Sequence, residues 1–178
     1  MKDDKRESGY AEQPPRIDLR WEIAAEPTAE MWSAMQAAKL GMADLGEDPQ
    51  VLEVEALGAD LSGKEAALLI PTTTVGNALG ILGHASRGSV VLMEDRCHIH
   101  WVEEGHVSAL AGAAPQLIRG DKFGAIALED IESAITRRCY GRRQAVSMLC
   151  LENTHNICGG TILKASYLAD VAQLCKGY

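Results

Sequence analysis

Short apolar runs along the chain alternate with stretches in which apolar residues recur at helical spacing. The runs have the length of strands, and the stretches between them place apolar residues every three or four positions. The pattern predicts strands at 66–70, 90–93, 115–118 and 146–151, and helices at 75–83, 100–110, 128–136 and 167–176. Strands that alternate with helices indicate βαβ units, so we expect an α/β fold with three layers, a mainly parallel sheet with helices on both faces.

The N-terminal part of the chain precedes this alternation. Residues 1–16 are charged and contain Pro14-Pro15, which predicts a mobile tail before a domain at 17–178. After a short extended segment at 17–20, a helix is predicted from Pro27-Thr28 to Gly41, and a second from Asp48-Pro49 to about Gly63. Residues 58–64 fit G-x-x-x-x-G-K, but the next residue is Glu65 and the segment ends a helix, so a P-loop is excluded.

Composition and charge narrow the classes of partner. The chain of 178 residues is 47% hydrophobic and 24% charged, as is usual for a globular protein. A net charge of −8 excludes nucleic acid and anionic membrane as main partners, and the arginines at 137–138 and 142–143 are predicted to lie in a solvated loop. The five cysteines are scattered without C-x-x-C spacing, which favours free thiols. No apolar run has membrane-spanning length, so we expect a cytoplasmic protein.

Three consecutive threonines lie between the first predicted strand and its helix. Thr72, Thr73 and Thr74 follow Pro71 and precede Gly76, at the predicted start of the helix. A helix N-terminus offers free N–H groups to a phosphate or carboxylate. Threonine is also an ordinary N-cap that needs no ligand. Both interpretations remain open on these residues alone.

Polar residues also follow two later predicted strands. His98 comes soon after 90–93, and 152–156, which includes His155, comes after 146–151. The carboxyl ends of parallel strands share one edge, where open α/β sheets bind ligands. We therefore expect these groups to converge on a binding site with Thr72–Thr74. Cys97, His98 and His100 could instead suggest a metal site, but no second cluster along the sequence has metal-ligand spacing, so we predict no metal site.

The chain resembles the threonine aldolases of the β-eliminating lyase group, which are pyridoxal phosphate enzymes of fold type I with an aminotransferase-like large domain. The resemblance covers most of the chain, from residue 17 to 177. It is carried in order by Asp18-Leu19-Arg20, Pro27-Thr28, residues 46–49, residues 63–68, Pro71, Thr74, Gly76-Asn77, His98, Glu103, Gly105, residues 151–156 and Gly159-Gly160.

This resemblance implies a site and a reaction. Thr73, Thr74 and Gly76 would hold the phosphate of pyridoxal 5'-phosphate, His98 would stack on its ring, and His155 would lie near the substrate side chain. The implied reaction cleaves L-threonine or L-allo-threonine to glycine and acetaldehyde. The base that takes the proton of the β-hydroxyl would be His98, His155 or a bound water. The complete enzyme would be a homodimer or homotetramer acting on a small amino-acid substrate.

The chain also departs from the family pattern. Trp21-Glu22-Ile23 replaces the usual Ser-Asp-Thr. Leu45 replaces a usual Tyr, Thr73 replaces a common Gly or Asn, and His106 replaces a usual Gly. The family's Lys that forms a Schiff base with the cofactor, and the Asp beside the pyridine nitrogen, would lie beyond Tyr178. We therefore expect a fragment, a short isoform or a decayed copy that is inactive and self-associates. The alternative is a non-catalytic α/β interaction module derived from the same fold.

Overall fold

The computed structural model describes residues 25–103, 105–139, 141–143 and 145–178. Contacts divide the chain into two compact units, one up to Leu69 and one comprising Ile70–Tyr178, and each is described by itself. The predicted tail 1–16, the extended segment 17–20 and Trp21 lie outside the described residues. The single domain over 17–178 stays a prediction.

Helix α1, Ala29–Ala37, opens the first unit. Thr28 is its N-cap, and the threonine hydroxyl accepts a hydrogen bond from the N–H of Met31 at 3.3 Å. This confirms the predicted start. The helix ends at Ala37, before the predicted Gly41, whose N–H instead donates to the Asp48 carboxylate at 3.2 Å in the following loop.

Helix α2, Pro49–Ser62, follows a single 3-10 turn, Ala43–Leu45. The carboxylate of Asp48 caps α2 by accepting hydrogen bonds from the N–H groups of Gln50 and Val51, at 2.9 and 3.1 Å. Gly63 ends the helix in the left-handed conformation, with φ of 64°. Residues 58–64 are thus a helix C-terminus, as predicted, and not a phosphate-binding loop.

The strand predicted at 66–70 is wrong. The segment has no strand partner among the described residues, and the side chains of Leu68 and Leu69 are exposed. The N–H of Leu69 donates to the Glu55 carboxylate at 2.9 Å. The side chain of Glu55 thus accepts the hydrogen bond that a carbonyl of a neighbouring strand would accept in a sheet.

The second unit contains a three-stranded parallel sheet with helices around it. Its elements in chain order are α3 Thr73–His84, β1 Val90–Glu94, α4 His98–Trp101, a π-helical turn His106–Leu110, β2 Ala114–Ile118, α5 Leu128–Thr136, β3 Arg138–Cys139, β4 Arg142–Arg143, β5 Val146–Cys150 and α6 Ala165–Cys175. The order in the sheet is β2-β1-β5, and both pairings are parallel. The predicted parallel α/β architecture is confirmed.

Alternate residues of the central strand β1 enter two separate apolar cores. On one face, Val91 and Met93 join a cluster with Ile81 of α3. On the other, Leu92 joins a cluster with Ile131 of α5 and Val171 of α6. Helices therefore cover both faces of this sheet, as the pattern predicts.

Two further predictions needed correction in this unit. The single helix predicted at 100–110 is instead α4 and the π-helical turn, because Gly105 between them has φ of 94° and interrupts the helix. Three of the four arginines predicted to lie in a solvated loop belong to the antiparallel pair β3 and β4, and the fourth, Arg137, is the C-cap of α5. Gly141 connects these strands, with φ of 78°, which glycine adopts without strain.

Other expectations concern thiols and membranes. Four cysteines in the described part of the chain are free thiols: Cys97, Cys150, Cys158 and Cys175. No helix within the described ranges combines the length and the apolar composition needed to cross a bilayer.

Candidate functional site

The first turn of α3 carries the consecutive threonines. Thr72 is the N-cap, and its hydroxyl accepts a hydrogen bond from the N–H of Val75 at 3.2 Å. Thr73 and Thr74 occupy the first helical positions, where N–H groups have no acceptor within the helix. These amides and the exposed hydroxyls are donors suited to a phosphate. The N-cap interpretation is confirmed for Thr72, and phosphate binding by Thr73 and Thr74 stays a prediction.

Gly76 lies in the same helix but offers a different contribution. Its N–H donates to the carbonyl of Thr72 at 3.1 Å and is not free for a ligand. A Cβ atom at Gly76 would come within 2.2 Å of the Cδ1 atom of Ile70. The absence of a side chain therefore lets α3 approach Ile70 closely.

His98 begins α4, shortly after β1 ends at Glu94. Its Nδ1 atom lies 2.9 Å from Oε1 of Glu103, and about a third of its side chain, 33%, is exposed. Nε2 of His98 has no hydrogen-bond partner among the described residues. The ring is thus held through Nδ1 and is partly exposed.

Glu103 links this imidazole to α3. Its Oε1 atom also accepts a hydrogen bond from Nδ2 of Asn77 at 2.9 Å. The residue is 5% exposed, so the carboxylate is almost entirely removed from water. Asn77 lies one helical turn beyond Thr73. One buried carboxylate therefore connects His98 with the helix that presents the threonines.

Glu152 connects the ends of β1 and β5. Its two carboxylate oxygens accept hydrogen bonds from the N–H of His98 at 2.6 Å and from the N–H of Asn156 at 2.7 Å. These are charge-assisted bonds to backbone donors, which are stronger than neutral ones. The loop after β5 is thereby fixed to the start of α4, and the predicted convergence of these strand ends is observed.

His155 is fully buried, with no exposed surface. Its Nε2 atom lies 3.0 Å from Oε2 of Glu94, and its Nδ1 atom accepts a hydrogen bond from the N–H of Cys158 at 3.4 Å. Both ring nitrogens are therefore occupied by protein partners. This geometry gives His155 a structural role in the loop after β5, and the catalytic role expected from the resemblance stays a prediction.

The Glu94 carboxylate is the centre of a buried polar cluster. Arg96 donates to its Oε1 atom from Nε at 3.0 Å and from Nη2 at 2.9 Å, and to Oε2 from its backbone N–H at 2.6 Å. These hydrogen bonds with Glu94 raise the pKa of Arg96. With the His155 ring, they give the carboxylate donors on both oxygens, as a buried charge requires.

Two glycines pack directly against this cluster. A Cβ atom at Gly120 would lie 2.4 Å from Oε1 of Glu94, and one at Gly124 would lie 2.1 Å from Cδ2 of His155. Gly124 also has φ of 87°, which favours glycine. Neither position has room for a side chain beside the buried pair.

Cys97 lies directly before His98 in the sequence. Burial raises the pKa of its thiol to about 11, so the thiol is neutral at physiological pH and a poor nucleophile. Among the residues that the structure describes, no group of three or more His, Cys, Asp or Glu side chains is placed to hold a metal ion.

Sequence reasoning did not assign roles to Glu94, Arg96, Asn77, Glu103 or Glu152. Two of the contacts that define their roles are distant in the sequence, since Glu94 and His155 are 61 positions apart and Asn77 and Glu103 are 26 apart. One local signal was present for Glu94, which directly continues the apolar run of β1. A carboxylate at the end of a buried strand must find partners, because an unpaired buried charge is costly.

Comparison with known proteins identifies a family and several relatives that match most of the chain. A family model described as "Beta-eliminating lyase" matches residues 18–178. The probable low-specificity L-threonine aldolase 2 of Arabidopsis thaliana is 38% identical over 162 residues, covering 90% of this chain and 46% of the relative. The low specificity L-threonine aldolase of Escherichia coli K12 is 34% identical over 160 residues, covering 90% of this chain and 47% of the relative. The chain therefore spans about half the length of these curated relatives.

Proposed function

The chain belongs to the β-eliminating lyase family, and from that premise we propose that it supplies the phosphate-binding and ring-stacking half of a threonine aldolase. The proposed enzyme cleaves L-threonine or L-allo-threonine to glycine and acetaldehyde. Pyridoxal 5'-phosphate, when bound, would supply an electron sink for the negative charge that develops at Cα. The names of the relatives support this choice of substrate, since they are L-threonine aldolases.

The contacts between α3 and His98 are the observation that carries this proposal. The Asn77 amide and the His98 ring bond the same oxygen of Glu103. This fixes a helix N-terminus suited to a phosphate in relation to an accessible imidazole suited to an aromatic ring. The donor chemistry of both groups fits pyridoxal phosphate, which carries an anionic phosphate and a planar ring.

The residues of the chain would divide the work as follows. Thr73 and Thr74 would bind the phosphate through N–H and hydroxyl donors. His98 would stack on the ring and orient it, and its Nε2 atom is a candidate acceptor for the proton of the β-hydroxyl. His155, whose ring nitrogens contact Glu94 and the N–H of Cys158, would keep the loop after β5 in place. A bound water remains the alternative base.

Cofactor binding by the chain tests this proposal. Fluorescence titrations should compare pyridoxal 5'-phosphate with pyridoxal, which lacks the phosphate. We expect the phosphorylated compound to bind more tightly, and the Thr73→Val, Thr74→Val double variant to lose most of that difference, because the hydroxyl donors are removed. His98→Ala should weaken binding of both compounds, since ring stacking is lost.

The matched control for these titrations is Thr136→Val, which changes an unrelated threonine at the end of α5. It should bind both compounds like the unmodified chain. Equal affinity for the two compounds in the unmodified chain would contradict the phosphate site. Release of glycine and acetaldehyde from L-threonine by an extended form that includes the family's Schiff-base Lys, measured by chromatography, tests the reaction itself.

A further inference from the structure

We propose that Glu103 is a positioning residue that fixes the proton of His98 on Nδ1 and leaves Nε2 as the accepting nitrogen. The functional meaning of this inference rests on the proposed function, because His98 is there the ring-stacking residue. The proton assignment itself follows from the contacts of the chain and is tested separately below.

The hydrogen bonds of Glu103 determine which nitrogen of His98 carries the proton. An ionised carboxylate accepts hydrogen bonds and donates none. Nδ1 of His98 lies 2.9 Å from Oε1 of Glu103, so the bond requires a proton on Nδ1. In the neutral ring the other nitrogen then has a lone pair. Nε2 is therefore the proton-accepting nitrogen of a partly exposed ring.

Asn77 makes this arrangement rigid. Its amide donates to the same Oε1 atom at 2.9 Å, so the carboxylate cannot rotate away from His98 without breaking a second bond. Glu103 is 5% exposed, and water cannot easily replace either donor. The orientation of His98 is thus coupled to the position of α3.

A second imidazole lies beside the other oxygen of Glu103. Nδ1 of His106 is 3.3 Å from Oε2 of Glu103, and both atoms are buried. The pair does not meet hydrogen-bond geometry, and neither atom has another partner among the described residues. His98 therefore holds the better bond to the carboxylate. His106 is positioned to compete for it, which makes His106 a useful site for a comparison variant.

In the proposed reaction the O–H bond of the substrate β-hydroxyl breaks, its electron pair stays on the oxygen, and the proton passes to Nε2 of His98. The ring then carries a proton on each nitrogen and keeps its bond from Nδ1 to Oε1 of Glu103. Glu103 acts here through His98 and touches no substrate.

Nitrogen NMR of the chain labelled with 15N-histidine tests the proton assignment. The chain has five histidines, so their ring signals can be assigned with single variants. We expect the Nδ1–H form for His98. His155 is an internal reference, because its bond from Nε2 to Glu94 and its accepting Nδ1 atom require the opposite Nε2–H form. An Nε2–H form of His98 in the unmodified chain would overturn the proposal without any variant.

Glu103→Gln is the decisive variant, since it keeps the shape of the side chain and removes its charge. We expect the ring signals of His98 to move toward a mixture of both neutral forms, while those of His155 stay unchanged. His106→Gly should leave the Nδ1–H form of His98 intact. The matched control is Glu129→Gln, which alters an exposed carboxylate of α5 and should change neither ring. Unchanged His98 signals in folded Glu103→Gln protein would refute the proposal.

A binding measurement links the assignment to the cofactor. Affinity for pyridoxal 5'-phosphate should fall roughly tenfold in Glu103→Gln, as expected for loss of a charged hydrogen bond that orients the ring. Glu103→Asp keeps the charge and should restore part of that affinity. If the unmodified chain binds no cofactor, the proposed function fails, and the NMR result still decides the role of Glu103.

Discussion

The Nε2 atom of His155 lies 3.0 Å from Oε2 of Glu94, and neither side chain has any exposed surface. The two residues come from the loop after β5 and from the end of β1. Because β1 and β5 are adjacent strands, this bond links their carboxyl ends, where the polar groups of the candidate site lie. It also determines what changes to either residue should do.

Replacement of His155 by Ala should lower the free energy of unfolding by about 2 to 4 kcal/mol, because a buried carboxylate oxygen loses a donor. Urea unfolding followed by circular dichroism measures this loss. The second variant His155→Gln can still donate to Glu94 and should lose less. The matched control is His84→Ala, at the exposed C-terminal end of α3, which should change stability by less than about 0.5 kcal/mol.

Equal losses in His155→Ala and His84→Ala would show that the buried pair does not contribute to stability. A loss in His155→Gln as large as in His155→Ala would show that ring packing matters and the hydrogen bond does not.

Glycine substitutions beside the buried pair should be among the most damaging in the chain. Gly124→Ala combines a contact of 2.1 Å to the His155 ring with a left-handed backbone at φ of 87°. We expect it to cost at least about 2 kcal/mol, since strain and overpacking add. Thermal unfolding measures the effect.

Gly80→Ala is the comparison for Gly124→Ala, since a Cβ atom at Gly80 in α3 meets no atom within 4 Å. It should stabilise the protein by about 0.5 to 1 kcal/mol, because alanine favours the helix. The prediction fails if both substitutions shift the melting temperature in the same direction.

The buried thiols should make stability depend on alkaline pH. Burial raises the pKa of Cys97 and Cys150 from an ordinary 9.0 to about 11 in the folded state. The folded state therefore holds more protons than the unfolded state between these values. The contribution to stability is complete below pH 9.0 and is lost as pH rises toward about 11. Each thiol should contribute a slope of up to about 1.4 kcal/mol per pH unit.

Urea unfolding at several pH values between 8 and 11 measures this slope. The Cys97→Ala, Cys150→Ala variant is the comparison, because it removes both buried thiols and should show a shallower decline. An identical slope in the two proteins would mean that other groups control the alkaline range.

The sequence pattern predicted those elements whose form depends on local composition. Helix α5 was predicted with the bounds observed, Leu128–Thr136, because its apolar residues recur on one face. The run at 66–70 looks the same as a buried strand, yet strand formation needs a neighbouring strand that local composition cannot reveal. Leu68 and Leu69 are exposed instead.

The sequence predicted which segments of the chain meet at the candidate site, but not the individual bonds between their side chains. His98 and the loop after β5 meet at one sheet edge because parallel strands share it, a rule that needs no contact information. The bonds between Glu103, His98 and Asn77 depend on how α3 packs, which periodicity does not specify. The burial of His155 likewise follows from Glu94, a partner 61 positions away.

The placement of Glu94 has a consequence for strand register. Both faces of β1 carry apolar side chains, from Val90, Val91, Leu92 and Met93. A shift of the strand register by one residue would therefore exchange the apolar side chains of one face for those of the other at small energetic cost. Such a slip would carry the Glu94 carboxylate away from its donors and into an apolar core. The contacts of the Glu94 carboxylate therefore stabilise one strand register over the shifted one. In Glu94→Leu, amide NMR should show doubled signals for β1, and a single set of signals would contradict this.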